Sequence, residues 1–188
     1  MKIVTILGSP RKRGNTAAVL AAFESLVAPQ HEVDRINITD YRVAGCLGCD
    51  HCFSVLDGPG CAQRDDAVQL LERILAADLV VYASPVYCWS FSAQLKALLD
   101  RHYCLVKWRD GELAASLATG KHMALLVTCG GGAGDNADLI QVMFDREIDY
   151  LGGVVAGKYV VANCGAPAEL GERGAEMGRR MARELAGG

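Results

Sequence analysis

Two groups of residues in this chain have the types and spacing for chemistry. The first is Gly8-Ser9-Pro10-Arg11-Lys12-Arg13-Gly14-Asn15-Thr16. It follows the apolar run Lys2–Leu7 and precedes a helical pattern, so a strand feeds a basic, hydroxyl-bearing loop that opens a helix. Unpaired N–H groups at a helix start, the positive end of its dipole, the hydroxyls of Ser9 and Thr16 and the Arg11 guanidinium together suit a phosphate. Neither G-x-x-x-x-G-K-[ST] nor G-x-G-x-x-G is present, which disfavours a Walker-type site and a dinucleotide held in the Rossmann manner. The second group is Cys46-x2-Cys49-x2-Cys52, with Cys61 after eight intervening residues.

Eight cysteines are many for a chain read as cytoplasmic. In a reducing compartment, clustering points to metal or redox chemistry rather than a disulfide framework. Three thiolates at this spacing can wrap one corner of a [4Fe-4S] cluster, with a remote fourth completing it. Zinc would use the same four sulfurs, though structural zinc sites usually present two separated C-x-x-C pairs. Free thiols without metal are the third state the spacing allows. Cys88, Cys104, Cys129 and Cys164 stand alone and read as small packing residues.

The elements that must position these groups follow from the apolar pattern. The chain has 188 residues, 51% of them hydrophobic and 22% charged, enough for one domain over 1–188 with a full core. Its net charge of -3 points to neither nucleic acid nor an anionic membrane. No signal segment or membrane-length apolar run is apparent, so a cytoplasmic location is the expectation. Strands are expected at Lys2–Leu7, Glu32–Ile38, Asp78–Ala83, His122–Thr128 and Val154–Ala162. Helices are expected at Thr16–Val27, Asp65–Ala77, Ser92–Val106, Asp135–Leu151 and Leu170–Leu185. Thr39–Gln63 reads as a long loop insertion carrying the cysteines, and Trp108–Gly120 as a polar connection. Strands alternating with helices imply an α/β, three-layer, doubly wound fold. Its five-stranded parallel sheet should run in the order 2-1-3-4-5, with a ligand at the switch point.

Three loops then gather at the carboxyl edge of the sheet: SPRKRGNT, Ser84-Pro85-Val86-Tyr87-Cys88-Trp89-Ser90, and Cys129-Gly130-Gly131-Gly132. Val86 and Tyr87 can wall a flat ring, Trp89 can cover its edge, and the glycines let backbone approach it. A phosphate at the first loop and a flat ring at the other two describe flavin mononucleotide (FMN). Against this, Tyr87 and Trp89 could be packing residues and the glycines a flexible turn. Asp100 and Arg101 read as a helix-surface or interface pair, structural rather than catalytic, and His51 and His102 as solvated or satisfied.

GSPRKRGNT, ASPVYCWSFSAQLKALLDR and the C-x2-C-x2-C loop together resemble the flavodoxin-like NAD(P)H-dependent FMN reductases, and most of all their iron–sulfur flavoprotein group. The resemblance runs from Lys2 to about Ala162. It implies that Ser9, Arg11, Asn15 and Thr16 hold the phosphate. It also implies that Pro85, Val86, Tyr87 and Trp89 contact the ribityl chain and ring, beside Cys129, Gly130 and Gly131. The expected activity is reduction of FMN by NAD(P)H, with electrons passed to a quinone, flavin or similar acceptor. The alternative is electron transfer from a ferredoxin-like donor through a [4Fe-4S] cluster to FMN. A small-molecule or protein electron partner and a homodimer or homotetramer are expected, with the flavin carrying the chemistry and no catalytic side chain.

Overall fold

The computed structural model describes residues 1–187; Gly188, the last residue of the expected domain, lies outside the described residues. Its sheet consists of β1 (Lys2–Leu7), β2 (Glu32–Asn37), β3 (Leu79–Pro85), β6 (His122–Thr128) and β7 (Val154–Val161). Their order is β2-β1-β3-β6-β7 and every pairing is parallel. This is the doubly wound order expected from the sequence. The two intervening strands, β4 (Val106–Arg109) and β5 (Glu112–Ser116), form a separate antiparallel hairpin.

Alternation along the strands sends side chains to two cores. Ile3 and Leu7 of β1, with Val81, Ala83 and Leu126, face α1 (Asn15–Val27) and α5 (Glu172–Ala186). Val4 and Ile6, with Tyr82, Leu125 and Val127, face α2 (Ala67–Leu75), α3 (Ala93–Asp100) and α4 (Asp138–Tyr150). Phe23 of α1 is wholly buried, a contribution of about 1.5–3 kcal/mol from its ring alone. Close backbone approach sets the spacing of the first layer. A Cβ on Gly178 of α5 would stand 2.8 Å from the Cβ of Ala22 on α1.

Two sequence expectations are corrected between β3 and β6. The helix expected to run to Val106 ends at Asp100, tightens into a 3-10 turn over Arg101–Leu105 and becomes a strand at Val106. The polar connection after it is the β4–β5 hairpin, closed by Asp110 at φ 54° and Gly111 at φ 81°. Asp-Gly suits a two-residue hairpin turn because both central positions need the left-handed region. The long loop expected after β2 contains two 3-10 turns, Ile38–Asp40 and His51–Ser54. Among the described residues, no helix is long and apolar enough to cross a membrane.

Candidate functional site: the flavin cradle and the cysteine loop

Parallel strands deliver their following loops to one edge, where the next helices begin. There, Ser9, Arg11, Asn15, Thr16, Pro85, Val86, Tyr87, Cys129 and Gly130 line one cavity of about 160 Å³. Thr128, Cys164, Gly165 and Pro167 add walls that the sequence reading missed. Trp89 and Gly131 are not among the lining residues. A larger groove of about 950 Å³ opens at the opposite edge, beside Asp78, Lys121 and Glu184. Helix starts and their free N–H groups gather at the first edge, so the smaller cavity is the better anion site.

The first loop is shaped by its own polar groups. The Arg11 N–H donates to Ser9 Oγ at 3.1 Å, and the Gly14 N–H to the Arg11 carbonyl at 3.0 Å. Gly14 caps α1 and no side chain caps the helix start, which leaves first-turn N–H groups for a ligand. A Cβ at Gly14 would meet the Arg11 carbonyl at 3.2 Å, so the loop closes tightly only around glycine. Thr16 Oγ1 and Thr128 Oγ1 lie 2.7 Å apart and tie the first loop to the end of β6. Asn15 Nδ2 donates to the Gly165 carbonyl at 2.9 Å and ties it to the loop after β7.

The loop after β3 is fixed to both neighbours. Ser92 Oγ donates to the Gly8 carbonyl and accepts from the Leu95 N–H, so one buried hydroxyl caps α3 and holds the first loop. The Val86 N–H donates to the Thr128 carbonyl at 2.9 Å. Beyond it, Tyr87 and Ser90 exchange backbone hydrogen bonds of 3.0 Å each around Cys88 and Trp89. In the loop after β6, the Gly131 N–H donates to Asn136 Oδ1 at 3.0 Å and its carbonyl accepts from the Asn163 N–H at 2.9 Å. Burial pushes the Cys129 thiol up, with a further lift from nearby Cys164, so it stays a neutral wall.

These residues fit FMN on an observation independent of resemblance. Asn15 Oδ1 is buried and has no hydrogen-bond partner among the described residues. A buried acceptor left unmade costs about 1–3 kcal/mol, so it calls for a donor. A sugar-alcohol hydroxyl is such a donor, and the free helix-start N–H groups beside it suit the phosphate on the same chain.

The cysteine loop is built differently. Cys46 and Cys49 are exposed, Cys52 is buried and Cys61 is half-buried. Among the described residues, no group of three or more His, Cys, Asp or Glu side chains gathers closely enough to hold a metal ion. The four sulfurs expected to share one site therefore form no preformed metal-holding group in this arrangement, although Cys46 and Cys61 lie near enough to Cys52 for their charges to raise its thiol further. Cys61 Sγ instead accepts from Arg101 Nη2 at 3.0 Å.

Two buried cations hold this loop. Arg101, 1% exposed, donates from Nη1 to Asp65 Oδ2 at 2.7 Å and to the Ala44 carbonyl at 3.0 Å. It is thus not the surface partner of Asp100, which pairs with Lys96 instead. Lys107 is wholly buried, and its Nζ donates to the carbonyls of Cys104, Gly58, Cys52 and Pro59 at 2.7, 2.8, 3.0 and 3.2 Å. Burial pulls this ammonium below its ordinary range, against a lift from Cys104, Cys52 and Asp57. Cys52 is pushed up by burial, partly offset by Lys107. His102 is buried and satisfied, between Tyr82 Oη at 3.3 Å and Glu147 Oε1 at 2.9 Å; His51 is exposed.

Comparison with known proteins gives this geometry its family. The family described as NADPH-dependent FMN reductase matches residues 1–167. The chain belongs to that family. Among curated relatives, an iron–sulfur flavoprotein of Archaeoglobus fulgidus is 40% identical over 102 residues, 54% of this chain and 45% of that one. Another, from Methanosarcina thermophila, is 40% identical over 106 residues, 56% of this chain and 54% of the relative. The chain thus spans about half the length of the curated relatives it matches. Among solved structures, the NAD(P)H:quinone oxidoreductase from Methanothermobacter marburgensis superposes with a TM-score of 0.72 at 18% identity, covering 99% of this chain and 96% of that one. That likeness shows the fold, which is the flavodoxin-like arrangement expected from the sequence.

Proposed function

We propose that this FMN reductase family member is an FMN-dependent oxidoreductase that draws reducing equivalents from NAD(P)H and passes them to a small acceptor such as a quinone or free flavin. The observation that carries the reading is the single cavity shared by Ser9, Arg11, Asn15 and Thr16 with Pro85–Tyr87 and Cys129–Gly130. FMN, when bound, supplies hydride acceptance and the release of electrons to the second substrate.

The residues of this chain bind and orient. Arg11 and the helix-start N–H groups hold the phosphate, while Asn15 Oδ1 accepts from the polyol. The loop after β3 supplies the apolar wall through Val86 and Tyr87, and Gly130 admits the ring edge without a side chain. No proton-transfer residue is required of the cradle. Mixing FMN-loaded protein with NADPH or NADH under anaerobic conditions is expected to bleach the flavin absorbance, and added quinone to restore it. Flavin that stays oxidised with both nicotinamides overturns the reading.

The names of the curated relatives and the Cys46–Cys49–Cys52 spacing favour a second reading, electron transfer through an iron–sulfur cluster to FMN. It requires the cysteine loop to rearrange. Near-stoichiometric iron and sulfide after anaerobic reconstitution would support it, and their absence would remove it.

A further inference from the structure

The turn after β3 combines two unfavourable choices. Tyr87 and Ser90 close a two-residue hairpin, and both central residues lie in the left-handed region, Cys88 at φ 48° and Trp89 at φ 59°. Such turns are dominated by glycine, asparagine and aspartate, because a larger side chain crowds its own backbone there. This chain places a cysteine and a tryptophan in them. The indole is 54% exposed, so burial does not explain its presence.

One contact does. Trp89 Nε1 donates to the Asp135 carbonyl at 2.9 Å, reaching from the turn after β3 to the glycine loop after β6. These are two of the four loops that wall the cavity, to which they contribute Pro85–Tyr87 and Cys129–Gly130. Asp135 is followed by Asn136, whose Oδ1 takes the Gly131 N–H, so the contact leads straight into the glycine backbone. Strained backbone persists where its surroundings hold it and where function needs it. Here the two Tyr87–Ser90 backbone bonds close the turn, and the indole bond to Asp135 is its side-chain tie to the glycine loop, a tie that can be released while the turn stays closed.

We infer that Trp89 is a latch across the ring end of the cradle and the residue that limits the size of the second substrate. The inference rests on the FMN reading given above. Latched, the indole ties the two loops and narrows the approach to the ring. Unlatched, the indole swings away from the glycine loop and admits a bulkier acceptor. Trp89 acts through the two loops and is a positioning residue.

Two variants separate the parts of the claim. Trp89→Phe keeps a ring and removes the donor, and Trp89→Gly removes the ring and accepts the left-handed backbone. Without flavin, amide hydrogen exchange over residues 130–136 is expected to quicken about tenfold in both, the size of one lost hydrogen bond. With FMN, the KM ratio of a bulky to a small quinone is expected to fall several-fold in Trp89→Gly, with the change in KM and not in kcat. Trp89→Phe should lie between that variant and the natural chain. Exchange equal in all three proteins overturns the latch. Faster exchange with an unchanged KM ratio overturns the selectivity. Failure of the natural chain to bind FMN overturns the underlying reading and the acceptor role with it, while the exchange measurement still judges the latch.

Discussion

The candidate flavin cradle and the cysteine loop both hold chemically capable side chains, yet they owe their order to different forces. The cradle sits where the β1, β3, β6 and β7 ends meet, and short backbone bonds such as Val86 N–H to Thr128 O lock its loops together. Its shape is a consequence of the parallel sheet. The cysteine loop has no sheet to follow between Tyr41 and Asp66. Its carbonyls at Ala44, Cys52, Gly58 and Pro59 turn inward to two buried cations from the segment after α3. Topology builds one site and buried charge the other. The first should survive damage to the second.

The sharpest break in that comparison is Lys107→Met. It takes the ammonium away from four inward carbonyls, of which Cys52 keeps a bond from the Val55 N–H, so stability should fall by about 3 kcal/mol, read by urea unfolding. Proteolysis should cut first between residues 44 and 62, while FMN still binds. Loss of FMN binding in a folded Lys107→Met protein would mean that the two regions are not separable.

Arg11→Ala makes the opposite cut. Arg11 is exposed and, among the described residues, its side chain makes no hydrogen bond, so stability should stay within about 0.5 kcal/mol. FMN affinity should drop by about 2 kcal/mol, roughly thirtyfold, as a charge-assisted contact is lost. Titration by flavin fluorescence checks it.

Acid gives the smallest and most local effect. Burial raises Asp65, but its bonds to Arg101, Ala44 and Ala67 outweigh that and hold its carboxyl below the usual value of 3.8. A depressed folded pKa means that Asp65 stabilises fully above about pH 4 and loses that contribution as pH falls through the lower folded value. Relative to the intrinsic rate of an unstructured amide at the same pH, exchange around residues 44 and 65 should therefore rise below pH 4 in the natural chain. Asp65→Asn should remove that acid-dependent rise.

The sheet order and the loops after β1, β3 and β6 were legible because apolar strands and loop chemistry are carried by side-chain types. The loop after β7 was not. Gly165 serves the site with a backbone carbonyl to Asn15, and no residue type announces that. Thr128 and Ser92 escaped because a hydroxyl at a strand or helix end looks ordinary until its partner in another loop is seen. Asp110-Gly111 did signal the hairpin, although the polar residues around it read as a connection. Lys107 was hidden because lysine normally faces water, and only the inward carbonyls of the cysteine loop make its burial tolerable. The cysteine spacing was plain in the sequence, whereas the Arg101 contact that engages Cys61 was not.

The central claim is a cavity that recognises a phosphorylated flavin through the loop after β1. Parallel titrations of the flavin-free protein with FMN and with riboflavin test it most directly, because the ligands differ only in the phosphate. The account predicts one FMN per chain, bound about a hundredfold or more tighter than riboflavin. Equal affinity for the two, or FMN binding unaffected by Arg11→Ala, would contradict it.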